Sequence, residues 1–274
     1  MNVKLGICNF CVPGTGVFAP QIVSEMGLDG MSLEFGSCEH GWALSQKKIM
    51  DLYLEAQQKY TIAYPNIGCS DGDNIPFYTP KGDPLYDTVQ HWVTKAVDAA
   101  VYMKISMVFF SNFNASLADT EEKLELTAER YRYLCDYAGE KGIEISCECP
   151  LSPQKQIQLT QMVDRENFSL FYDSDNFTYF TDYKQTDVLK EIYPYMGKQL
   201  HVKDSTKGCI ANAVLGTGVA DFYGSIKYLS EQNYDGWLIL ENLYELEPMR
   251  HLNYDYFEIM KEDVRVLKEA VGRS

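Results

Sequence analysis

Cysteine, basic residues and long apolar runs are all scarce in this sequence. Its eight cysteines are scattered over 274 residues, which excludes a disulfide scaffold and is typical of reduced thiols in the cytosol. No run approaches the roughly 18 consecutive apolar residues of a membrane helix, and the opening residues MNVKLG do not resemble a secretory signal. Against 39 Asp and Glu stand only 24 Lys and Arg, a formal net charge of −15. We therefore expect a cytoplasmic protein with neither a nucleic-acid nor a membrane partner.

Apolar residues are nevertheless abundant, at 46% of the chain, so a substantial core can form. Short apolar runs alternate with longer stretches of helical periodicity. Strands are predicted at residues 3–7, 31–35, 61–67, 105–110, 143–148, 168–173, 199–204 and 237–241. Helices are predicted at residues 20–26, 45–60, 83–103, 117–140, 154–163, 186–195, 221–232 and 254–271.

Eight apolar strands, each followed by a helix, predict an α/β fold of the closed (β/α)8 TIM-barrel type. No Pro/Ser-rich linker interrupts the pattern, so we expect residues 1–274 to form a single domain. The rival, an open doubly wound sheet, normally has a Gly-rich phosphate loop after its first strand. Residues 13–16 read PGTG, with no third glycine opening a helix, and we reject that alternative. Residues 68–84 form a longer loop, for which a lid is one interpretation.

Ionisable residues end several of the predicted strands, where catalytic groups of such barrels are found. Glu148, Asp173, His201 and Glu241 come from four successive strands. Each alone is more often a loop or capping residue, but four in equivalent positions form an O₃N set suited to a divalent cation. Lys203 lies two residues after His201 and therefore shares its face of the strand.

Other candidates are weaker. His40 follows the second strand and can face the barrel mouth. Cys8 and Cys11 are separated by two residues, but no second pair completes a zinc site. The aromatic segment 177–183 either walls a pocket or covers the core, and residues 216–218 (GTG) form either a phosphate loop or a plain turn.

With these residues in view, the sequence resembles the sugar phosphate isomerase/epimerase superfamily of xylose isomerase-like TIM barrels, including ketose 3-epimerases and inosose isomerases. The resemblance covers nearly the whole chain. The matching blocks are residues 142–148 (GIEISCE), 168–176 (FSLFYDSDN), 200–204 (LHVKD), 216–222 (GTGVADF) and 234–241 (YDGWLILE).

The resemblance implies one divalent metal held by Glu148, Asp173, His201 and Glu241, with the two glutamates doubling as catalytic acid and base. The metal is expected to be Mn²⁺, with Co²⁺, Mg²⁺ or Zn²⁺ as alternatives. Further substrate-binding residues are then expected at three positions that correspond to family positions (Glu34, Asn176 and Lys207) and at two other polar side chains near the mouth (Lys203 and His40). Many epimerases of the family have His where this chain has Asn176, which leaves the exact substrate open.

Such a site predicts an isomerase or epimerase that removes a proton α to a carbonyl of a ketose or keto-polyol through an enediolate. A lyase or dehydratase acting on a keto-sugar by β-elimination uses the same intermediate and remains an alternative. A third is a non-catalytic sugar-binding subunit. A multi-zinc DNA-repair enzyme is disfavoured, because the chain has only four histidines and an acidic surface. The 20 Tyr and 13 Phe are compatible with a homo-oligomer.

Overall fold

Eight parallel strands pair in chain order and close on themselves, because β1 pairs with both β2 and β8. The computed structural model describes residues 1–14, 16, 18–252 and 255–273. The strands are β1 Lys4–Cys8, β2 Gly30–Glu34, β3 Ile67–Cys69, β4 Met107–Ser111, β5 Glu144–Glu148, β6 Phe168–Asp173, β7 Met196–Val202 and β8 Trp237–Leu240. This topology confirms the TIM barrel that the alternation of strands and helices predicts.

A layer of helices surrounds the barrel. They are α1 Ala19–Glu25, α2 Lys47–Tyr60, α3 Tyr86–Met103, α4 Glu121–Gly139, α5 Pro153–Val163, α6 Asn176–Phe180, α7 Gln185–Ile192, α8 Phe222–Glu231, α9 Met249–Leu252 and α10 Tyr256–Ala270. The short helices α6 and α9 lie in loops after β6 and β8 and have no counterpart in the predicted pattern. The predicted start of the last helix, Tyr254, lies outside the described residues. No helix within the described ranges is long and apolar enough to cross a membrane.

Local sequence explains where strands give way to helices. All residues of β4 and β6 are buried, as expected of strands covered by helices on one side and by the barrel interior on the other. Thr120 and Ser152 begin α4 and α5, each accepting a hydrogen bond from the backbone N–H three residues later. Pro153 occupies the first turn of α5, where its missing N–H costs nothing.

The third strand was predicted wrongly at residues 61–67. Thr61 instead ends α2 in the left-handed conformation, at φ 55°. Pro65 has no N–H to donate to a sheet, and only Ala63 makes an isolated bridge, with Gly30. Regular pairing begins at Ile67 and lasts three residues. The chain therefore reaches the barrel mouth later along the sequence than the apolar pattern suggests.

Candidate active site

Four ionisable side chains meet at the carboxyl-terminal end of the barrel. Glu148 and Asp173 are the last residues of β5 and β6, His201 lies one residue before the end of β7, and Glu241 follows β8. Asp173 and His201 are direct partners in the parallel register. Because the ends of parallel strands converge on one face of the barrel, residues far apart in sequence become neighbours.

The four side chains surround a common point. His201 Nδ1 lies 3.4 Å from Glu148 Oε1, 3.7 Å from Asp173 Oδ2 and 3.3 Å from Glu241 Oε2. One ligand atom from each of the four residues falls within 4.8 Å of all the others. Glu148, Asp173 and His201 are buried and Glu241 is nearly so, hence their charges are shielded from bulk water. This arrangement can hold a single cation.

Neighbouring polar groups orient the two carboxylates contributed by β5 and β6. Ser111 donates a hydrogen bond to Glu148 Oε2 at 3.1 Å, and Asn176 donates through Nδ2 to Glu148 Oε1 at 3.0 Å. Asp173 Oδ1 accepts from the backbone N–H groups of Asp175 and Asn176 at 2.7 and 2.8 Å. Both carboxylates are therefore held in fixed positions, with Asp173 Oδ2 left pointing to the centre.

Positive charge stabilises the cluster. Lys203 Nζ lies 3.0 Å from Asp173 Oδ2 and 2.5 Å from Glu241 Oε2. Burial favours the neutral form of Glu241, but His201 and Lys203 outweigh it and hold the pKa of Glu241 well below its usual range. Burial, together with the nearby Glu241 and Glu148, raises the pKa of Asp173 to about 7 despite Lys203. Three carboxylates this close to one another favour the binding of a cation in addition to Lys203.

The residues present fit a divalent metal ion. Asp173 Oδ2 is a buried carboxylate oxygen that accepts no hydrogen bond from the described residues, although the Lys203 ammonium is within ion-pair distance. Lys203 balances the charge of this buried oxygen but leaves its hydrogen-bonding capacity unused, and a bound metal ion would use it. Three oxygen ligands and one imidazole nitrogen suit a hard or borderline divalent ion. Glu148, Asp173, His201 and Glu241 would hold it.

A cleft of about 350 Å³ opens above these residues, a volume within the usual range of about 300–1,000 Å³ for small-molecule sites. Four of its lining residues are acidic, namely Glu34, Asp73, Glu148 and Glu241, and Lys203 is the cationic one. Burial raises the pKa of Asp73 above its usual value. The cleft is therefore polar and negatively charged at its base.

Aromatic rings form another part of the cleft wall. Phe10, Phe113 and Phe180 line it, and the rings of Phe113 and Phe180 lie 5.0 Å apart. Phe10 is 41% exposed and Phe180 is 38% exposed, so both present apolar surface toward solvent. Exposed rings above a polar base are typical of sites that bind an amphipathic small molecule.

Several of these lining residues were missed by sequence reasoning. Ser111 ends β4 and Ser70 follows β3, so examining the polar residues at every strand end, rather than the ionisable ones alone, would have found both. Of the aromatic segment 177–183, Phe177 is buried in the core, whereas Phe180 lines the cleft. Both interpretations of that segment are thus realised, by different residues.

The remaining predicted substrate-binding residues divide into two groups. Glu34, Asn176 and Lys203 line the cleft. His40 and Lys207 do not, and the structure does not bring them to the site. His40 is exposed and its Nδ1 pairs with Ser37 Oγ at 3.0 Å, while the Lys207 side chain is exposed on the loop after β7. Spacing along the chain places a residue on a loop, but it does not say which way that loop turns.

Glu34 predicts a pH-dependent contribution to stability. Removal from water raises its pKa to about 7, although Gly36 and Ser70 donate backbone hydrogen bonds to Oε1. The folded state thus retains a proton that the unfolded state has lost above about pH 4.5, and the free energy of unfolding falls as pH rises toward 7.

Glu34→Gln keeps the acceptor oxygen and removes this titration. In denaturant unfolding of the metal-free proteins, we expect the wild type to lose about 1–2 kcal/mol more than the variant between about pH 5 and pH 8. Comparing the two proteins cancels the titration of every other group. Parallel pH profiles for the two would contradict a raised pKa of Glu34 in the folded protein.

Comparisons with known proteins agree with this fold. The sequence profile of the family described as xylose isomerase-like TIM barrels matches residues 20–270. A 2-epi-5-epi-valiolone 7-phosphate 2-epimerase from Actinoplanes sp. (strain ATCC 31044 / CBS 674.73 / SE50/110) is 23% identical over 227 residues, covering 80% of this chain and 78% of the relative.

Solved structures share the fold over almost the entire chain. The D-psicose 3-epimerase of Clostridium cellulolyticum H10, solved with D-tagatose, superposes with a TM-score of 0.79 at 12% identity, covering 98% of this chain and 99% of that one. The IolI protein, solved with a bound zinc atom, gives a TM-score of 0.76 at 14% identity, covering 98% of each chain. At these identities the likeness concerns the fold.

Proposed function

The chain belongs to the family of xylose isomerase-like TIM barrels, and from this premise we propose that it is a divalent-metal-dependent isomerase or epimerase of a ketose or keto-polyol. One observation carries the proposal: ligand atoms of Glu148, Asp173, His201 and Glu241 lie within 4.8 Å of one another at the base of a small-molecule cleft. The cited relatives include sugar and cyclitol epimerases, which supports the same reaction class.

Glu148 and Glu241 act as the acid and base in this proposal. Both carboxylates approach His201 Nδ1, at 3.4 and 3.3 Å, so a substrate bound above the cluster meets both. One removes the proton from the carbon next to the carbonyl, and the other returns a proton to the resulting enediolate. Return to the opposite face of the same carbon gives epimerisation, and return to the neighbouring carbon interconverts aldose and ketose.

The metal is assigned to the four-residue cluster. When bound, a divalent cation supplies positive charge where the enediolate oxygens become negative. We propose Mn²⁺ as the resident ion, with Co²⁺, Mg²⁺ and Zn²⁺ as alternatives. Lys203 holds Asp173 and Glu241 by charge and adds a second positive group beside the developing oxyanion.

Other cleft residues bind and orient the substrate. Asn176 and Glu34 offer polar atoms to hydroxyl groups along the cleft wall. Phe10, Phe113 and Phe180 cover the apolar C–H face of a sugar or cyclitol and limit access of water. The proposal assigns His40 and Lys207 no contact with the substrate. A cytoplasmic location and a homo-oligomeric state also remain proposals.

An unphosphorylated substrate fits the charge of the cleft better. The curated epimerase relative acts on a 7-phosphate. In this chain four carboxylates line the cleft beside one lysine, and that lysine is engaged by Asp173 and Glu241. A phosphate dianion is bound best by arginine side chains, and none is among the residues that line the cleft. A free ketose, inosose or related keto-polyol is therefore proposed.

Proton exchange in D₂O tests the proposal. The protein is loaded with Mn²⁺ and incubated with a panel of ketoses, inososes and their phosphates, and after removal of the paramagnetic ion the products are identified by NMR. Deuterium entering at a carbon α to the carbonyl, with mass otherwise conserved, is the expected result. Release of water or an aglycone would indicate elimination by a lyase instead. Absence of exchange in metal-replete protein across the panel would favour a sugar-binding subunit.

A further inference from the structure

The thiol of Cys8 lies directly behind the imidazole of His201. Cys8 is the last residue of β1 and is completely buried. Its Sγ is 3.4 Å from His201 Nε2, although 193 residues separate the two in sequence. The opposite ring nitrogen, Nδ1, faces the three carboxylates of the cluster. The two nitrogens of the ring therefore have distinct surroundings, one carboxylate-lined and one thiol-lined.

Two aromatic rings fix the plane of the same imidazole. Phe109 and Phe171 contact His201 edge-to-face, with ring centroids 5.3 and 4.7 Å away and interplanar angles of 81° and 67°. Phe109 and Phe171 also stack on each other at 4.3 Å. These apolar contacts restrict tilting of the imidazole, but they cannot decide which nitrogen carries the proton. That choice depends on a hydrogen-bond partner.

We propose that Cys8 is a positioning residue whose sulfur accepts the N–H of His201 Nε2, so that the Nδ1 lone pair is directed at the metal cluster. The inference rests on the proposed function, because it assigns a role toward the same metal. Imidazoles that bind metals usually donate their second N–H to a carboxylate, a carbonyl or water. Here a thiol, which is a weaker acceptor, occupies that position. Unlike a fourth carboxylate, it adds no negative charge to a cluster that already has three carboxylates.

A direct role of Cys8 as a metal ligand is the competing arrangement. Cys8 Sγ, a His201 nitrogen and a Glu241 oxygen also lie within 4.8 Å of one another. A single ion cannot be bound through both nitrogens of one ring. The geometry favours Nδ1, because three carboxylates face that nitrogen whereas Nε2 faces the thiol.

The test compares three variants of the full-length protein. Cys8→Val removes the acceptor at similar volume, Cys8→Ser replaces the thiol by a hydroxyl acceptor, and Cys135→Val alters another buried thiol, in α4. Zn²⁺ affinity is measured by chelator competition. We expect Cys8→Val to weaken Zn²⁺ binding about 10–100-fold, Cys8→Ser to stay within about threefold of wild type and Cys135→Val to bind as wild type.

Histidine NMR supplies a second readout, which applies to Zn²⁺-loaded and to metal-free protein. The chain has four histidines, so the ring nitrogens are few enough to assign. In Zn²⁺-loaded wild type, His201 is expected to carry its proton on Nε2. In metal-free protein the same Nε2 proton resonance is expected in wild type and in Cys8→Ser, and shifted in Cys8→Val. If a variant fails to fold, the position of the His201 proton in Zn²⁺-loaded wild type still tests the inference.

Three results would overturn the inference. One is a proton on Nδ1 in Zn²⁺-loaded wild type, and another is unchanged Zn²⁺ affinity and Nε2 resonance in Cys8→Val. The third is a sulfur-to-cobalt charge-transfer band in Co²⁺-loaded wild type that disappears in Cys8→Val, which makes Cys8 a ligand. If wild type binds none of the metals but its metal-free Nε2 resonance still depends on Cys8, the proposed function is wrong. The hydrogen bond between Cys8 and His201 is then still supported.

Discussion

Glu148→Gln and Glu241→Gln are each expected to lower turnover about 10²–10⁴-fold while leaving the fold intact. Glutamine keeps the size of the side chain and, for Glu148, an acceptor for Ser111 or Asn176, but it cannot accept a proton from carbon. Turnover is measured with the substrate found by D₂O exchange, at saturating metal. Metal content is measured on the same samples, because both residues also belong to the metal cluster.

Glu144→Gln provides the matched control. Glu144 begins the same strand that Glu148 ends, is partly buried and accepts a hydrogen bond from Ser169 at 2.5 Å. It lies at the opposite end of the barrel from the cleft, so its replacement should leave turnover within about twofold of wild type. Near-normal rates in both Glu148→Gln and Glu241→Gln, with metal bound, would contradict their assignment as acid and base.

Asp204→Ala is expected to destabilise the protein by about 3 kcal/mol, the cost of leaving two buried and two partly buried backbone donors without their partner. Asp204 follows β7 and holds the loop that leads to α8. Oδ1 accepts from the backbone N–H groups of Ser205 and Ala220 at 2.9 and 3.0 Å, and Oδ2 accepts from those of Gly216 and Gly218 at 2.9 and 3.0 Å. Without the carboxylate all four donors lose their partner.

Denaturant unfolding of Asp204→Ala measures this loss, and Asp235→Ala is its control. Asp235 pairs with Lys198 at 2.5 Å, but its side chain is 58% exposed and the pair is screened by water, so removing it should leave the free energy of unfolding close to that of wild type. Equal stabilities for the two variants would mean that water replaces the carboxylate of Asp204 at little cost. The loop after β7 would then be held by its other contacts.

The network around Asp204 also changes the interpretation of residues 216–218. The sequence allowed either a phosphate loop or a plain turn there. The backbone N–H groups of Gly216 and Gly218 instead donate to Asp204, and a Cβ added at Gly218 would come within 2.3 Å of the Ser205 carbonyl oxygen. An internal carboxylate thus occupies the donors that a phosphate would use.

Sequence pattern predicted that Glu148, Asp173, His201 and Glu241 come together, because this grouping depends on a property that the chain carries locally. Glu148, Asp173 and Glu241 interrupt or end apolar strands, and a buried strand tolerates such residues only at its exposed or functional end. Once the strands are parallel, all their carboxyl ends face one way. The position of each residue within its strand was therefore sufficient to predict that these side chains lie close together.

The amino-acid sequence alone determined the acidic cluster and the eightfold alternation of strands and helices. Tertiary structure alone decided the details that depend on direction. Closure of the barrel brings Cys8 of β1 behind His201 of β7, a contact that no spacing predicts. His40 and Lys207 are exposed and do not line the cleft, whereas Phe10 and Phe180 do. The physical reason is that periodicity encodes which face of an element is buried, whereas packing between distant elements determines which atoms on that face touch.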